Sequence, residues 1–109
     1  MASKPDPTEM PPRHPDDTPA KLVIRDQKNP RSYLCARVET DGTLLYEGCD
    51  ADPKLENFVG RDEYEYALAI KPEQKDAVLL HLLRERFASV HDFKAWLQAR
   101  GIASEFGSF

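Results

Sequence analysis

The clearest pattern in the chain is a strict alternation of side chains from residue 63 to residue 70. One set of alternate positions is aromatic or aliphatic: Tyr64, Tyr66, Leu68 and Ile70. The other set is charged or small: Glu63, Glu65, Ala67 and Ala69. A period of two with one apolar side predicts a half-buried β-strand. Pro72 fits the first position of a helix, where a missing N–H costs nothing, so this strand should lead directly into a helix.

A hairpin is predicted between residues 32 and 46. The turn Thr40-Asp41-Gly42 is typical of hairpins in which glycine takes a positive φ. A two-residue loop would place Ala36 opposite Glu47 and mix apolar with charged side chains on one face. A three-residue loop places Ala36 opposite Tyr46 and Val38 opposite Leu44. Because a slip of one residue moves every side chain across the sheet, burial favours the three-residue loop.

The remaining elements follow from shorter signals. Leu22-Val23-Ile24 predicts a first strand, and residues 55–59 are spaced like one short helical turn. A leucine-rich helix is predicted after Pro72. Ser89, with Asp92 three residues later, predicts the start of a second helix, and Gly101 predicts its end.

The order β-β-β-β-α-α predicts an α+β fold, with an antiparallel sheet of about four strands and two C-terminal helices packed on one face. The most buried side chains are expected between that face and the helices. They are Tyr66, Leu68, Leu79, Leu82, Phe87, Phe93 and Trp96. The opposite face is expected to be largely solvated. It carries Cys35, Arg37, Leu45, Glu47, Glu63 and Glu65.

Composition separates residues 1–20 from the rest of the chain. This segment holds six of the nine prolines, and its only sizeable apolar residues are Met1 and Met10. Such a segment buries too little surface to offset the entropy of ordering it, which predicts a disordered tail at 1–20 and a single domain at 21–109. A polyproline recognition arm is the functional alternative.

Charge and motifs exclude several classes of function. A pI of about 5.3 and a net charge of -4 argue against nucleic-acid binding. Neither a membrane span nor a secretory signal is recognisable, so a cytoplasmic protein is expected. Cys35 and Cys49 lack the spacing of a redox or metal motif, and His14, His81 and His91 are expected on the surface. No cofactor, metal or catalytic group is predicted.

Negative charge is concentrated in residues 47–65, with a local net charge of -5, against +3 for residues 21–39. The carboxylates are Glu47, Asp50, Asp52, Glu56, Asp62, Glu63 and Glu65. A solvated sheet face with internally compensated charges explains this pattern without a function. The functional hypothesis is a regulatory or interaction domain that binds a protein with a basic surface. The alternative is a small-molecule-binding protein or minor enzyme, with Tyr64 and Tyr66 in a pocket between sheet and helices.

The sequence from Leu44 to Asp50, Phe58-Val59-Gly60 and Glu63-Tyr64-Glu65-Tyr66 resembles a family of small uncharacterised bacterial proteins. The resemblance continues through the leucine-rich helix and Phe93–Leu97 to Gly101-Ile102. It implies a cytoplasmic bacterial protein of α+β fold and carries over no activity. Cys49 stands where such proteins have Gln, which argues against a thiol-based function there.

Overall fold

The computed structural model describes residues 5–51 and 63–107, so the predicted helical turn at 55–59 lies outside the described residues. The chain divides into two compact units. One unit is Arg13–Asp76 and contains the sheet. The other combines Met1–Pro12 with Ala77–Phe109 and contains most of the helical sequence.

Four antiparallel strands form one sheet in the order of the sequence. They are β1 (Lys21–Lys28), β2 (Arg31–Val38), β3 (Leu44–Ala51) and β4 (Glu63–Ile70). After β4, Pro72–Gln74 forms a 3-10 turn that continues into α1 (Lys75–Arg86), and α2 (Val90–Ala99) follows. A four-stranded antiparallel sheet followed by two helices confirms the predicted α+β class and element order.

The hairpin between β2 and β3 has the predicted register. Val38 pairs with Leu44 and Ala36 with Tyr46. The N–H of Glu39 donates to the carbonyl of Thr43 at 2.8 Å, which leaves three residues in the loop. Gly42 has φ +92°, where a side chain would be strained. Alternation of side chains and one glycine therefore suffice to set this register.

Both predicted ends of α2 are confirmed. The Ser89 hydroxyl accepts the backbone N–H of Asp92 at 3.1 Å. At the other end Gly101 has φ +69° and donates to the carbonyl of Gln98, while Ile102 donates to the carbonyl of Leu97. This pair of bonds is the Schellman motif, which satisfies carbonyls that the helix leaves open.

Aromatic rings cluster in the unit that contains the helices. Phe87 stacks on Phe93 at 5.1 Å between centroids, and its ring meets Trp96 edge-on at 5.8 Å. His91 and Lys94 contact the ring of Phe106, which ties the segment after α2 to that helix. Such ring pairs stabilise by about 0.5–1.5 kcal/mol beyond the area they bury.

The described core lies in the two central strands. Leu34, Cys35 and Leu45 are only 6%, 4% and 8% exposed. The prediction that Leu68, Leu79 and Leu82 belong to the core is wrong, since they are 62%, 52% and 55% exposed. Among the described strands β4 has one neighbour, whereas β2 and β3 are flanked on both sides, so burial within the sheet concentrates in its centre. Tyr66, Phe87, Phe93 and Trp96 are half-buried.

The sheet face that carries Cys35 and Leu45 is not largely solvated at its centre, which corrects the expectation for that face. Cys35 is the cross-strand partner of Glu47, and Leu45 is the partner of Arg37. Arg37 Nε donates to Glu47 Oε1 at 2.6 Å, so the stems of this ion pair flank both apolar side chains. Long charged side chains cover apolar neighbours in this way while their heads reach water.

Residues 13–20 contact the start of the sheet. Asp17 accepts the N–H of Val23 at 2.8 Å and that of His14 at 3.1 Å. These backbone bonds lower the pKa of the Asp17 carboxyl, first through Val23 and then through His14. The predicted disorder of residues 1–20 stays a prediction, and these contacts indicate where to test it.

Candidate functional site

A groove of about 430 Å³ lies on the face of the sheet that contains Cys35, here called the groove face. Its lining includes Lys21 from β1, Tyr33 and Cys35 from β2, Glu47 and Cys49 from β3, and Glu65 from β4. All four strands contribute because the antiparallel pairings bring alternate positions of each strand to the same face.

One ammonium group already lies in the groove. Lys21 Nζ is 5.7 Å from the centroid of the Tyr33 ring, a distance at which a cation is attracted to the ring face. Tyr33 raises the pKa of Lys21, mainly by hydrogen bonding and next by its charge, and Asp16 adds a smaller contribution. Lys21 therefore stays positively charged.

A thiol in the wall of the groove, that of Cys49, contacts a carboxylate on the same face of the sheet. Cys49 Sγ donates to Glu63 Oε1 at 3.2 Å. This hydrogen bond is the main reason that the pKa of Cys49 lies above its ordinary value, and burial and the charge of Glu63 raise it further. A raised pKa keeps Cys49 as a thiol at neutral pH, and the thiol is a weak nucleophile. Both cysteines are free in the structure.

The structure divides the predicted acidic site. Glu47, Glu63 and Glu65 share the groove face, with Glu65 exposed and the other two half-buried. Asp50 lies on the opposite face, here called the tyrosine face because it carries Tyr46, Tyr64 and Tyr66. Asp52, Glu56 and Asp62 lie outside the described residues. Strand alternation separates Asp50 from the glutamates, although they are close in sequence.

Asp50 is held in a hydrogen-bond network on the tyrosine face. Its Oδ1 accepts the Ser32 hydroxyl at 2.7 Å and the Tyr66 hydroxyl at 3.3 Å. Arg25 Nε donates in turn to Ser32 Oγ at 2.9 Å. Burial raises the pKa of Tyr66, and the charge of Asp50 adds to the shift. Asp50 therefore links side chains of β2 and β4 across β3, which is a structural role.

Gly48 makes room for Tyr66 in this network. A Cβ on Gly48 would lie 2.4 Å from the backbone oxygen of Tyr33 and 2.8 Å from the Tyr66 hydroxyl. A Cβ does not approach non-bonded atoms this closely, and the backbone oxygen of Tyr33 cannot move aside, so glycine is required at this position.

Sequence reasoning missed the contact between His14 and the sheet. His14 Nε2 is 2.6 Å from Asp26 Oδ2, and its Nδ1 accepts the N–H of Asp16 at 3.0 Å. Because Nδ1 is an acceptor, the ring donates from Nε2 to Asp26. Both nitrogens are occupied, which indicates a structural role. The signal in the sequence was Pro15-Asp16-Asp17, since proline followed by aspartate favours an ordered turn.

The described residues contain no cluster of three or more histidine, cysteine or carboxylate side chains placed to hold a metal ion. Neither α1 nor α2 has the length and apolar content needed to cross a membrane. What the described geometry does provide is a groove on a sheet, with an aromatic ring, an ammonium group and carboxylates in its walls. No protein-family model, no curated protein and no solved structure matches the chain.

Proposed function

We propose that this chain is a non-catalytic interaction domain that binds a positively charged segment of a partner protein in the groove. The observation that carries the proposal is the place of Lys21, whose ammonium group lies against the Tyr33 ring inside the groove. The position of Lys21 shows that the Tyr33 ring attracts a cation, and the exposed Glu65 in the same groove offers a carboxylate to a cation of the partner.

The other two carboxylates of the predicted acidic site that lie on the groove face have partners among the described residues. Glu47 binds Arg37 at 2.6 Å, and Glu63 accepts the thiol of Cys49. Glu65 is therefore the carboxylate that we expect to contact the partner. A charge at the rim of an interface mainly raises the association rate and weakens with salt over a Debye length of about 8 Å at physiological ionic strength.

The catalytic alternative has less support from the geometry. A nucleophilic cysteine requires a lowered pKa, and Glu63 acts on Cys49 in the opposite direction. We further propose that the protein is cytoplasmic, a compartment in which two unpaired thiols stay reduced. The resemblance to small bacterial proteins is consistent with that location.

The test uses the full chain labelled with ¹⁵N and an acetylated, amidated hexalysine peptide as the probe. We expect the peptide to shift the amide signals of Tyr33, Gly48 and Glu65, and to bind more weakly at higher salt. Glu65→Lys should lower the affinity by about two- to tenfold, since one exposed ion pair contributes about 0.2–1 kcal/mol and reversal adds repulsion.

Glu105→Lys is the matched control, because it makes the same charge change at an exposed position after α2. It should leave the affinity nearly unchanged. Equal losses in the two variants would mean that the peptide responds only to net charge, and the proposal would then be wrong. Glu63 is left intact because its replacement would also remove the hydrogen bond from Cys49.

A further inference from the structure

A proline-rich peptide is bound in the unit that contains the helices. The peptide, here called the proline segment, is residues 5–12 of the chain itself. Arg86 Nη1 donates to the carbonyl of Pro5 at 3.2 Å. Arg100 donates to the carbonyls of Pro7 at 3.1 Å and Glu9 at 3.2 Å. Every second carbonyl from residue 5 to residue 9 therefore accepts a guanidinium N–H.

The proline segment presents these carbonyls because Asp6 folds it into a turn. Asp6 Oδ1 accepts the N–H of Thr8 at 2.8 Å and its hydroxyl at 2.7 Å. The N–H of Glu9 donates to the carbonyl of Asp6 at 3.2 Å. Asp-Pro-Thr-Glu has aspartate at the first and proline at the second position, the arrangement that favours a β-turn.

The two arginines are fixed on aromatic rings. The Arg100 guanidinium lies 4.1 Å from the centroid of the Trp96 ring, and that of Arg86 lies 4.8 Å from the Phe87 ring. Arg100 also donates to the carbonyl of Trp96 at 3.1 Å. We call these four residues the arginine–aromatic surface. Stacking on a ring orders the guanidinium before any peptide arrives, so less entropy is lost on binding.

Arg86 and Arg100 carry like charges close together, so hydrogen-bond acceptors beside them stabilise both guanidinium groups. Burial lowers the pKa of Arg100, and the nearby charge of Arg86 lowers it further. Carbonyl oxygens aimed at both groups relieve this cost, since hydrogen bonds to charged donors are among the stronger ones in proteins. Within the turn the carbonyl of Asp6 accepts the N–H of Glu9. The carbonyls of Pro5, Pro7 and Glu9 accept the arginines instead.

We propose that the arginine–aromatic surface is a binding site for a proline-rich segment of a partner protein that contains an Asp-Pro turn. The chain's own proline segment is the tethered ligand that competes for it. The hydrogen bonds described between Arg86, Arg100 and the proline segment all end on backbone oxygens, so recognition depends on the shape of the turn more than on side chains. Aromatic surfaces bind proline-rich peptides in a similar manner. This site is independent of the groove and of Glu65.

The test needs a full chain whose tethered segment is released. Asp6→Ala with Pro7→Gly removes the side chain that forms the turn and the fixed φ that favours it. Both substitutions lie outside the arginine–aromatic surface. In this released variant the amides of Thr8 and Glu9 should become mobile by ¹⁵N relaxation.

The probe is a synthetic peptide with the wild-type sequence of residues 4–13, added to ¹⁵N-labelled protein. Trp96 is the only tryptophan, so its indole N–H signal and its fluorescence report on the site. A tether acts as a competitor at roughly millimolar effective concentration. The peptide should therefore bind the released variant about tenfold more tightly than the wild type. A peptide with the two released-variant substitutions should bind weakly.

Arg100→Gln in the released variant should weaken peptide binding about tenfold or more, because two charge-assisted hydrogen bonds are lost. Arg84→Gln removes the same charge from α1 and should have little effect. No response of Trp96 to the peptide, or equal effects of the two arginine variants, would overturn the proposal. A concentration-dependent dimer that the peptide dissociates would also overturn it, because a second copy would then be the ligand.

Discussion

At the scale of single residues, Gly48 has the least freedom to change. Gly48→Ala would bring a methyl group to 2.4 Å from the backbone oxygen of Tyr33, which has no flexible end that could move aside. We expect the free energy of unfolding in urea to fall by about 1–3 kcal/mol, as in other overpacked sites. Gly101→Ala is the comparison, since its Cβ would meet open space and only the positive φ would be strained. Equal losses in the two variants would show that Tyr33 and Tyr66 do not crowd Gly48.

Cys49 gives a second test at this scale. Glu63 raises the pKa of the thiol by accepting its hydrogen, so alkylation by iodoacetamide should need a higher pH than for an ordinary cysteine. Glu63→Gln should shift the midpoint of the rate profile to lower pH. The folded state holds this proton more tightly than the unfolded state, so the contribution to stability is present below the ordinary thiol pKa. It is lost as the pH rises towards the raised value.

Cys35 serves as the internal control for that experiment. It is buried, and it should react slowly at every pH until the protein unfolds. Peptide mapping after alkylation separates the two sites. An unchanged Cys49 profile in Glu63→Gln would mean that burial, the second cause, dominates the shift.

At the scale of secondary-structure elements, we predict that the segment before β1 stabilises the start of the sheet. Asp17→Ala removes the acceptor of the Val23 N–H at the start of the sheet. We expect a lower melting temperature at neutral pH, whereas the sequence alone predicts that residues 1–20 are dispensable. The pKa of Asp17 is lowered in the folded state, so its contribution is present at neutral pH and lost as the pH falls through the lowered value.

The difference between Asp17→Ala and the wild type should therefore disappear in strong acid. Asp16→Ala is a suitable control, because Asp16 precedes Asp17 in the same turn and its carboxylate accepts no backbone N–H of the sheet in the described residues. Its contacts are long, at 3.4 Å to the Tyr33 hydroxyl and 3.9 Å to His14 Nδ1. If Asp17→Ala melts like the wild type at neutral pH, the prediction of a dispensable tail stands for residues 13–20.

Elements whose signal is local were predictable from the sequence. The hairpin register follows from alternation around Gly42, and both ends of α2 follow from Ser89 and Gly101. Each depends on residues close in the chain, where steric and hydrogen-bonding rules act directly.

Features that depend on distant residues were not predictable in this way. The contact of His14 with Asp26 joins residues twelve positions apart and requires the path of the chain before β1. The acidic site was treated as one stretch, whereas the sheet places Asp50 and Glu47 on opposite faces. Charge density along a sequence does not indicate which carboxylates already have partners, as Glu47 does in Arg37.

At the scale of the whole molecule, two leucines that the sequence does not distinguish differ in burial. Leu45 lies in the central strand β3 and is 8% exposed, whereas Leu82 lies in α1 and is 55% exposed. Leu45→Ala should destabilise by about 2–5 kcal/mol, because a cavity remains among the side chains that cover Leu45 on the groove face. Leu82→Ala should cost about 1 kcal/mol or less, since half of the side chain is already in water and alanine favours helix.

Urea unfolding of both variants, followed by circular dichroism and by Trp96 fluorescence, measures these losses. The two probes report on different parts of the chain, so their agreement also tests whether the protein unfolds in one step. The spacing of the leucines in α1 by itself predicts that they lie in the core. A loss of about 2–5 kcal/mol for Leu82→Ala would show that the leucines of α1 are packed in a core. A small loss for Leu45→Ala would show that the centre of the sheet is not part of the core.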